Sequence, residues 1–279
     1  MPYQKTHHIS SLHNPRIRFL YQLKEKSKIR KREGLFLIEG KREISLAIKG
    51  NFMIQSVYFC QDIISLEEVQ QLFSQTTNSV EFTEVTSDIY KKLAYREKTE
   101  GVVAVAEYKK TEVTSISLNR KNPLILVAEA PEKPGNIGAL LRTADAAGVD
   151  AILIADLKTD LYNPNIIRSS VGCVFTNTLG TGSSTEIINY LQDQKVTIYG
   201  ASLQTSIPYH TADFKGPTAI VVGTEDKGLT DIWLKNTVQN IKIPMNGVID
   251  SMNVSVAAGI LIYEAVRQRH RYSHNSINC

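Results

Sequence analysis

Three short stretches in the second half of the chain put polar groups where a strand hands over to a helix. In "NIGALLRTADAAGVD" (136–150), Asn136 opens a helical run and Arg142 follows six residues later. In "VVGTEDKGLT" (221–230), an apolar strand ends on Gly223 and meets Glu225 directly afterwards. In "IPMNGVIDSMNVSVAAGILIYEA" (243–265), Ser251 and Asn253 stand at the mouth of a helix that is apolar on nearly every side. None of the three contains His or Cys, so they hold neither an imidazole base nor a thiol nucleophile. Amides, a carboxylate, a hydroxyl and a guanidinium can instead orient a substrate, grip a phosphate and stabilise developing negative charge.

Each stretch also has an ordinary structural explanation. Arg142 fits a surface arginine on an amphipathic helix. Glu225 and Asp226 suit the positive end of the coming helix. Ser251 could be the N-cap of the last helix. "GTGSS" (180–184) resembles half of a dinucleotide fingerprint, but no GxGxxG follows the first strand, which disfavours a nucleotide-binding Rossmann enzyme. Asn253 and the lack of a polar face on the last helix are left over.

The elements that must carry these residues read as an α/β domain with a parallel sheet. Near-continuous apolar strands at 124–130, 151–155, 196–203, 219–223 and 240–244 alternate with helices near 137–147, 164–171, 184–193, 228–236 and 251–269. Such strands are buried on both faces, and a ligand belongs at their carboxyl ends. Ahead of them lies a small αβ domain over 1–108, joined by a polar linker at 109–122 to the domain at 123–279. In the first part, Asn14 and Pro15 open a helix that Gly34 stops. Strands follow at 35–39, 54–60, 79–85 and 101–108, with helices at 41–49, 65–74 and 87–94.

Composition narrows the partners. Cys60, Cys173 and Cys279 are far apart and form no CxxC pair, which fits a reducing cytoplasm and argues against a disulfide framework or a zinc site. The start of the chain lacks the apolar core of a signal peptide, and no run is long enough to span a bilayer. The net charge of +4 hides an asymmetry, because the first fifty residues carry twelve Lys and Arg against four Glu. The segment with Arg16, Arg18, Lys24, Lys26, Lys28, Arg30, Lys31 and Arg32 is either a solvated face or a contact for RNA phosphates. Tyr21 could stack on bases, whereas Phe19 suits core packing.

Taken together, the three stretches resemble motifs 1, 2 and 3 of the SpoU-type RNA ribose methyltransferases of the SPOUT superfamily. "FLIEGKREI" and "TEGVVAVAEY" resemble pieces of the ribosomal-protein-like substrate-binding domain that precedes many of them. The resemblance covers roughly residues 10 to 270. It implies a deep trefoil knot in the second domain and S-adenosylmethionine as cofactor. It implies a methyl transfer to a ribose 2′-hydroxyl, with ribosomal RNA ahead of transfer RNA, base methylation or an inactive RNA-binding paralogue. Arg142, Asn136, Glu225, Ser251 and Asn253 then become the catalytic set. Leu203, Gly223, Ile243 and Met252 become the cofactor set, with Met252 where leucine is more common. Arg16, Arg18, Lys28, Arg30, Lys31 and Arg32 become the RNA contacts, no metal is required, and the last helix makes a homodimer. Arg142 is best suited to hold phosphate and stabilise an alkoxide, because a neutral guanidinium is costly.

Overall fold

The structure, a computed structural model, describes residues 7–74, 76, 79–95 and 100–270. Cys279, and Thr99 of the second N-terminal piece, lie outside them. Among the described residues no helix is long and apolar enough to cross a membrane. The chain forms two compact units, one running to Lys110 and including Asp160–Thr176, the other made of the remainder.

The first unit contains β1 (His7–Ile9), α1 (Pro15–Glu25), α2 (Ser27–Glu33), β2 (Leu35–Glu39), α3 (Lys41–Lys49), β3 (Ile54–Phe59), α4 (Leu66–Leu72), β4 (Glu81–Val85), α5 (Ser87–Leu93) and β5 (Val102–Glu107). Its sheet runs β1-β4-β3-β5-β2, with β5 antiparallel to both neighbours. Asn14 caps α1 by accepting the Arg16 N–H at 2.9 Å, and Ile17, Leu20 and Leu23 line the buried face. Gly34 closes α2 in the left-handed region, at φ 65°.

The single helix expected between Asn14 and Gly34 is broken at Lys26, whose backbone is extended (φ −115°, ψ 106°). The break turns Arg30 inward, where only 2% of it is exposed. Its Nη1 donates to the carbonyls of Leu23 (2.7 Å) and Lys24 (2.9 Å), in the last turn of α1, which has no helical partners to offer them. Its Nε donates to Asp160 Oδ2 at 2.5 Å, and the Tyr108 hydroxyl donates to Asp160 Oδ1 at 2.8 Å. Burial, then the Asp160 charge, pushes the Tyr108 phenol above its ordinary range, so it stays a donor. Arg30 therefore leaves the set of expected RNA contacts. A guanidinium enclosed by a carboxylate and two carbonyls has nothing to give a phosphate.

Asp160–Thr176 reads from sequence as part of the second domain, yet it packs in the first unit. Tyr162 stacks on Phe36 (4.2 Å between centroids, 12° between planes), and Phe175 lies 5.1 Å from Phe52. Within the segment, α7 spans Pro164–Ser169.

The second unit contains β6 (Leu124–Glu129), α6 (Pro134–Ala147), β7 (Ala151–Ala155), β8 (Leu179–Gly182), α8 (Ser184–Asp193), β9 (Thr197–Ala201), β10 (Ser206–Pro208), β11 (Thr218–Val222), α9 (Asp231–Asn236), β12 (Gln239–Lys242) and α10 (Val254–His270). Its sheet runs β10-β12-β9-β11-β6-β7-β8, parallel at every pairing. The central β6, β7 and β11 are buried along their whole length, as continuous apolar runs require. The short edge strands β8 and β10 have too few apolar residues to be read from sequence. "GTGSS" ends β8 and opens α8, where Ser183 and Glu186 cap each other reciprocally. A Cβ on Gly180 would come within 2.5 Å of Ile116 Cδ1, so this glycine serves packing. Val113 is buried in the same core, which ties down a stretch that reads as polar linker.

The last helix starts at Val254, three residues later than expected. Its cap is Asn253, whose Oδ1 accepts the Ser255 N–H at 3.0 Å and the Ser255 hydroxyl at 2.6 Å. Ser251 is not the cap. α10 packs against α6, β11 and β6, so residues 243–253 carry the chain back across the sheet from β12.

Replacing Arg30 with alanine strands a buried carboxylate and should destabilise the first unit by about 3–5 kcal/mol. Arg18→Ala, on the exposed face of α1, should stay within about 0.5 kcal/mol. Urea unfolding of the two variants reads the difference, and equal midpoints would place Arg30 at the surface instead.

Candidate active site

The carboxyl ends of β6 and β11 and the start of α10 bring three loops of the second unit together. At their junction, Glu225 Oε1 accepts from Asn136 Nδ2 (3.0 Å) and from Asn253 Nδ2 (2.9 Å). Asn253 Nδ2 also donates to Asn136 Oδ1 at 3.2 Å. The second oxygen of Glu225 is held by the Lys133 ammonium. Lys133, then the Asn136 amide, holds this carboxyl below the usual carboxylate range. Glu225 thus has both oxygens engaged, by an ammonium and two amides, which favours its ionised form.

Beside this cluster lies a cleft of about 370 Å³, of a size that suits a small cofactor. Leu203, Gly223, Ile243 and Met252 all line it, as do Glu225 and Ser251. Gly223 has no room for a side chain, because a Cβ there would lie 2.2 Å from the Gly228 carbonyl group. The loop doubles back through paired bonds between Thr224 and Gly228 (3.2 and 3.0 Å), leaving bare backbone along the cleft. Beneath it, buried Glu129 accepts the Thr230 N–H (3.0 Å) and hydroxyl (2.5 Å) and so anchors the start of α9. Ala130, the next residue, sits at φ 44°, a strained value for a residue other than glycine.

Of the five residues expected to be catalytic, Asn136, Glu225 and Asn253 meet in one hydrogen-bonded cluster. Ser251 is exposed at the rim of the cleft, outside that cluster. Arg142 is exposed on α6 and makes no hydrogen bond or ion pair among the described residues. Its fork is unengaged. Of the expected RNA contacts, Arg18, Lys28 and Lys31 are exposed, Arg16 pairs with Glu81 at 2.5 Å, and Arg32 pairs with the adjacent Glu33.

A family model described as the SpoU rRNA methylase family matches residues 123–263, and one described as an MRM3-like substrate binding domain matches residues 14–104. The chain belongs to the SpoU rRNA methylase family. A Bacillus subtilis relative, 23S rRNA (guanosine(2553)-2′-O)-methyltransferase, is 28% identical over 255 residues, covering 91% of this chain and 97% of its own. A solved RNA 2′-O ribose methyltransferase is 37% identical, with a TM-score of 0.81, over 94% of this chain and 99% of that one. The SpoU methyltransferase AviRb of Streptomyces viridochromogenes, solved with the cofactor AdoMet, is 28% identical with a TM-score of 0.84, over 92% and 98%.

In this SpoU-family methylase, Lys133 and Ser255 are polar members of the site that sequence reasoning missed. Lys133 stands three residues ahead of Asn136, on the loop side of Pro134, so its opposition to an acidic loop was the available signal. Ser255 follows Asn253 at the spacing of a capping interaction, a signal hidden while Ser251 held that role. The apolar side chains of Leu203, Ile243 and Met252 and the bare backbone at Gly223 suit the flat face of an adenosine, while Asp226, Lys227, Lys242 and Asp250 bring charge to the same lining.

Gly223→Val would drive two methyls into the Gly228 backbone and the cleft. Calorimetry with S-adenosylhomocysteine should show affinity lost by at least about a hundredfold, on the scale of a strong steric block. Unchanged affinity would put the adenosine elsewhere.

Proposed function

We propose that this methylase binds S-adenosylmethionine in the cleft lined by Leu203, Gly223, Ile243 and Met252 and methylates 23S ribosomal RNA as a homodimer. The reaction is transfer of a methyl group to a ribose 2′-hydroxyl, the activity named for its solved and curated relatives. One observation carries the assignment of the site. Glu225 lines the cleft and, through the same carboxylate, holds Asn136 of the first motif and Asn253 of the third.

When bound, S-adenosylmethionine supplies an electrophilic methyl group, and everything else falls to positioning and charge. Asn136, Glu225 and Asn253 fix the three loops around the reacting ribose. Glu225, ionised and engaged, positions its neighbours. Arg142, permanently charged and with a free planar fork, holds the phosphate next to the ribose and stabilises the 2′-oxygen as it loses its proton to water. Ser251 at the rim of the cleft holds the sugar. Arg18, Lys28 and Lys31 of the first unit add phosphate contacts. A cytoplasmic location follows from the substrate. In the superfamily's trefoil knot the last strand and helix, here β12 and α10, would thread through an earlier loop.

The dimer reading rests on α10. Ala258, Leu261, Ile262 and Ala265 are buried against the sheet and α6, while Val256 and Tyr263 remain 54% and 50% exposed. Ile260 is half-buried between the two faces. An apolar second face on a helix this short of polar residues calls for a cover, and a second copy of α10 supplies one of matching chemistry.

Arg142→Ala should cut methyl transfer by roughly a hundredfold or more while S-adenosylhomocysteine affinity stays within a few-fold. Arg142→Lys should also be poor, since a point charge does not reproduce the fork. Turnover is measured on ribosomal RNA from cells lacking the gene, and alkali-resistant linkages distinguish ribose from base methylation. An alanine variant with near-normal turnover would overturn the role.

Val256→Glu tests the dimer without entering the monomer's core. Light scattering should give twice the 31.1 kDa chain mass for the unaltered protein and a single mass for the variant. A monomeric and fully active unaltered protein would sink this reading.

A further inference from the structure

Two tyrosine rings of the first unit stand open to solvent, Tyr21 on α1 (38% exposed) and Tyr95 just past α5 (43%). A lone exposed ring needs no explanation. Here both rings carry cations. The Lys92 and Lys24 ammonium groups lie 5.1 and 5.9 Å from the Tyr21 centroid, and the Arg168 guanidinium lies 5.8 Å from that of Tyr95. Lys24 joins the two sites. Its ammonium donates to the carbonyls of Lys92 (3.0 Å) and Ala94 (2.8 Å), and its side chain lines a shallow hollow together with Tyr95 and Arg168. Glu39 accepts the Tyr95 N–H at 2.6 Å and fixes the backbone from which that ring projects.

The charge balance of this face is positive. Lys92 and Arg168 are exposed, and Arg18 lies one helical turn before Tyr21. Among the described residues, the carboxylates near these cations are Glu25, 3.9 Å from the already engaged Lys24, Glu39, which accepts the Tyr95 N–H, and exposed Asp88, one helical turn before Lys92. Cations over partly exposed aromatic rings, repeated twice on one surface, match a ligand that alternates phosphates with flat rings and can slide a base in where a mobile cation now sits.

We propose that this surface binds unpaired RNA nucleotides, with bases stacked on Tyr21 and Tyr95 and the intervening phosphates held by Lys92 and Arg168. The proposal rests on the RNA-methylating reading and specifies which RNA the first unit holds. A duplex hides its base faces in its own stack, so rings of this kind are of use only for single strands, loops and ends. Stacking of this type tolerates any base, and the platform therefore adds affinity and register without reading sequence. An acidic peptide would satisfy the cations and leave both rings without a role.

The test uses the full chain and two labelled probes, a single-stranded oligouridylate and a blunt-ended RNA duplex, with binding followed by fluorescence anisotropy. Tyr95→Ala should weaken the single strand by about tenfold and leave the duplex nearly unchanged, with a similar loss for Tyr21→Ala. Tyr95→Phe keeps the ring and should bind as the unaltered protein does, which also shows that the position tolerates substitution. Unchanged single-strand affinity in the Tyr21→Ala, Tyr95→Ala double variant would overturn the proposal. Equal losses on the duplex, or a loss in Tyr95→Phe, would overturn it as well. Methyl transfer by the unaltered protein is scored separately. Its absence counts against the enzymatic reading, whereas methylation with tyrosine variants that bind normally counts against the platform alone.

Discussion

The carboxylate of Glu225 is the point on which the second unit's site depends. One oxygen takes two amide donors and the other takes an ammonium, so a single ionised group ties the loop after β6, the loop after β11 and the entry to α10. Hydrogen bonds to an ionised acceptor are about twice as strong as neutral ones, which makes this group a suitable hub for loops that would otherwise move independently. The same three donors favour the ionised carboxylate. A site organised in this way is built for holding geometry, and geometry is what an in-line displacement demands most.

Asn253 extends the same economy of atoms. Its amide nitrogen reaches Glu225 and Asn136, while its amide oxygen caps α10. Position of the helix and position of the site are therefore one constraint. A serine at 253 could cap the helix, but it could not hold the cluster with the opposite end of the same group. This is the physical content of a polar residue at the mouth of an apolar helix, and it explains why the cap falls to Asn253 and not to Ser251.

Much of this was legible in the sequence where a local rule decides the outcome. The Asn14–Pro15 opening, the Gly34 stop and the buried central strands each follow from one residue type at one spacing. The family and its reaction were legible because three polar loops recur in a fixed order. What was hidden depends on contacts distant in sequence. Arg30 reads as one more member of a basic run, and only Asp160, 130 residues away, turns it into a core residue. The same contact, with Tyr162 on Phe36, explains why Asp160–Thr176 packs in the first unit although it interrupts the second. Lys133 was hidden for a related reason, since its partner lies 92 residues on. The edge strands β8 and β10 were missed because four and three residues carry too little pattern to separate from loop.

The treatment of arginine separates three jobs that composition alone merges. Arg30 is enclosed and structural, with its donors spent on a carboxylate and two carbonyls. Arg269 is half-buried at the amino ends of β6 and β11, where it donates to the carbonyls of Phe214, Asn122, Pro123 and Gly216, and burial lowers its pKa from the ordinary value. Arg142 alone of these three has its fork open. A guanidinium that binds carbonyls is held in place by its surroundings, whereas one with no partner among the described residues keeps its donors available. The stem of Arg142 is fixed by the packing of α6 against α10. Fixed stem and free head together are what a group needs if it is to meet a phosphate and a developing alkoxide without rearranging first.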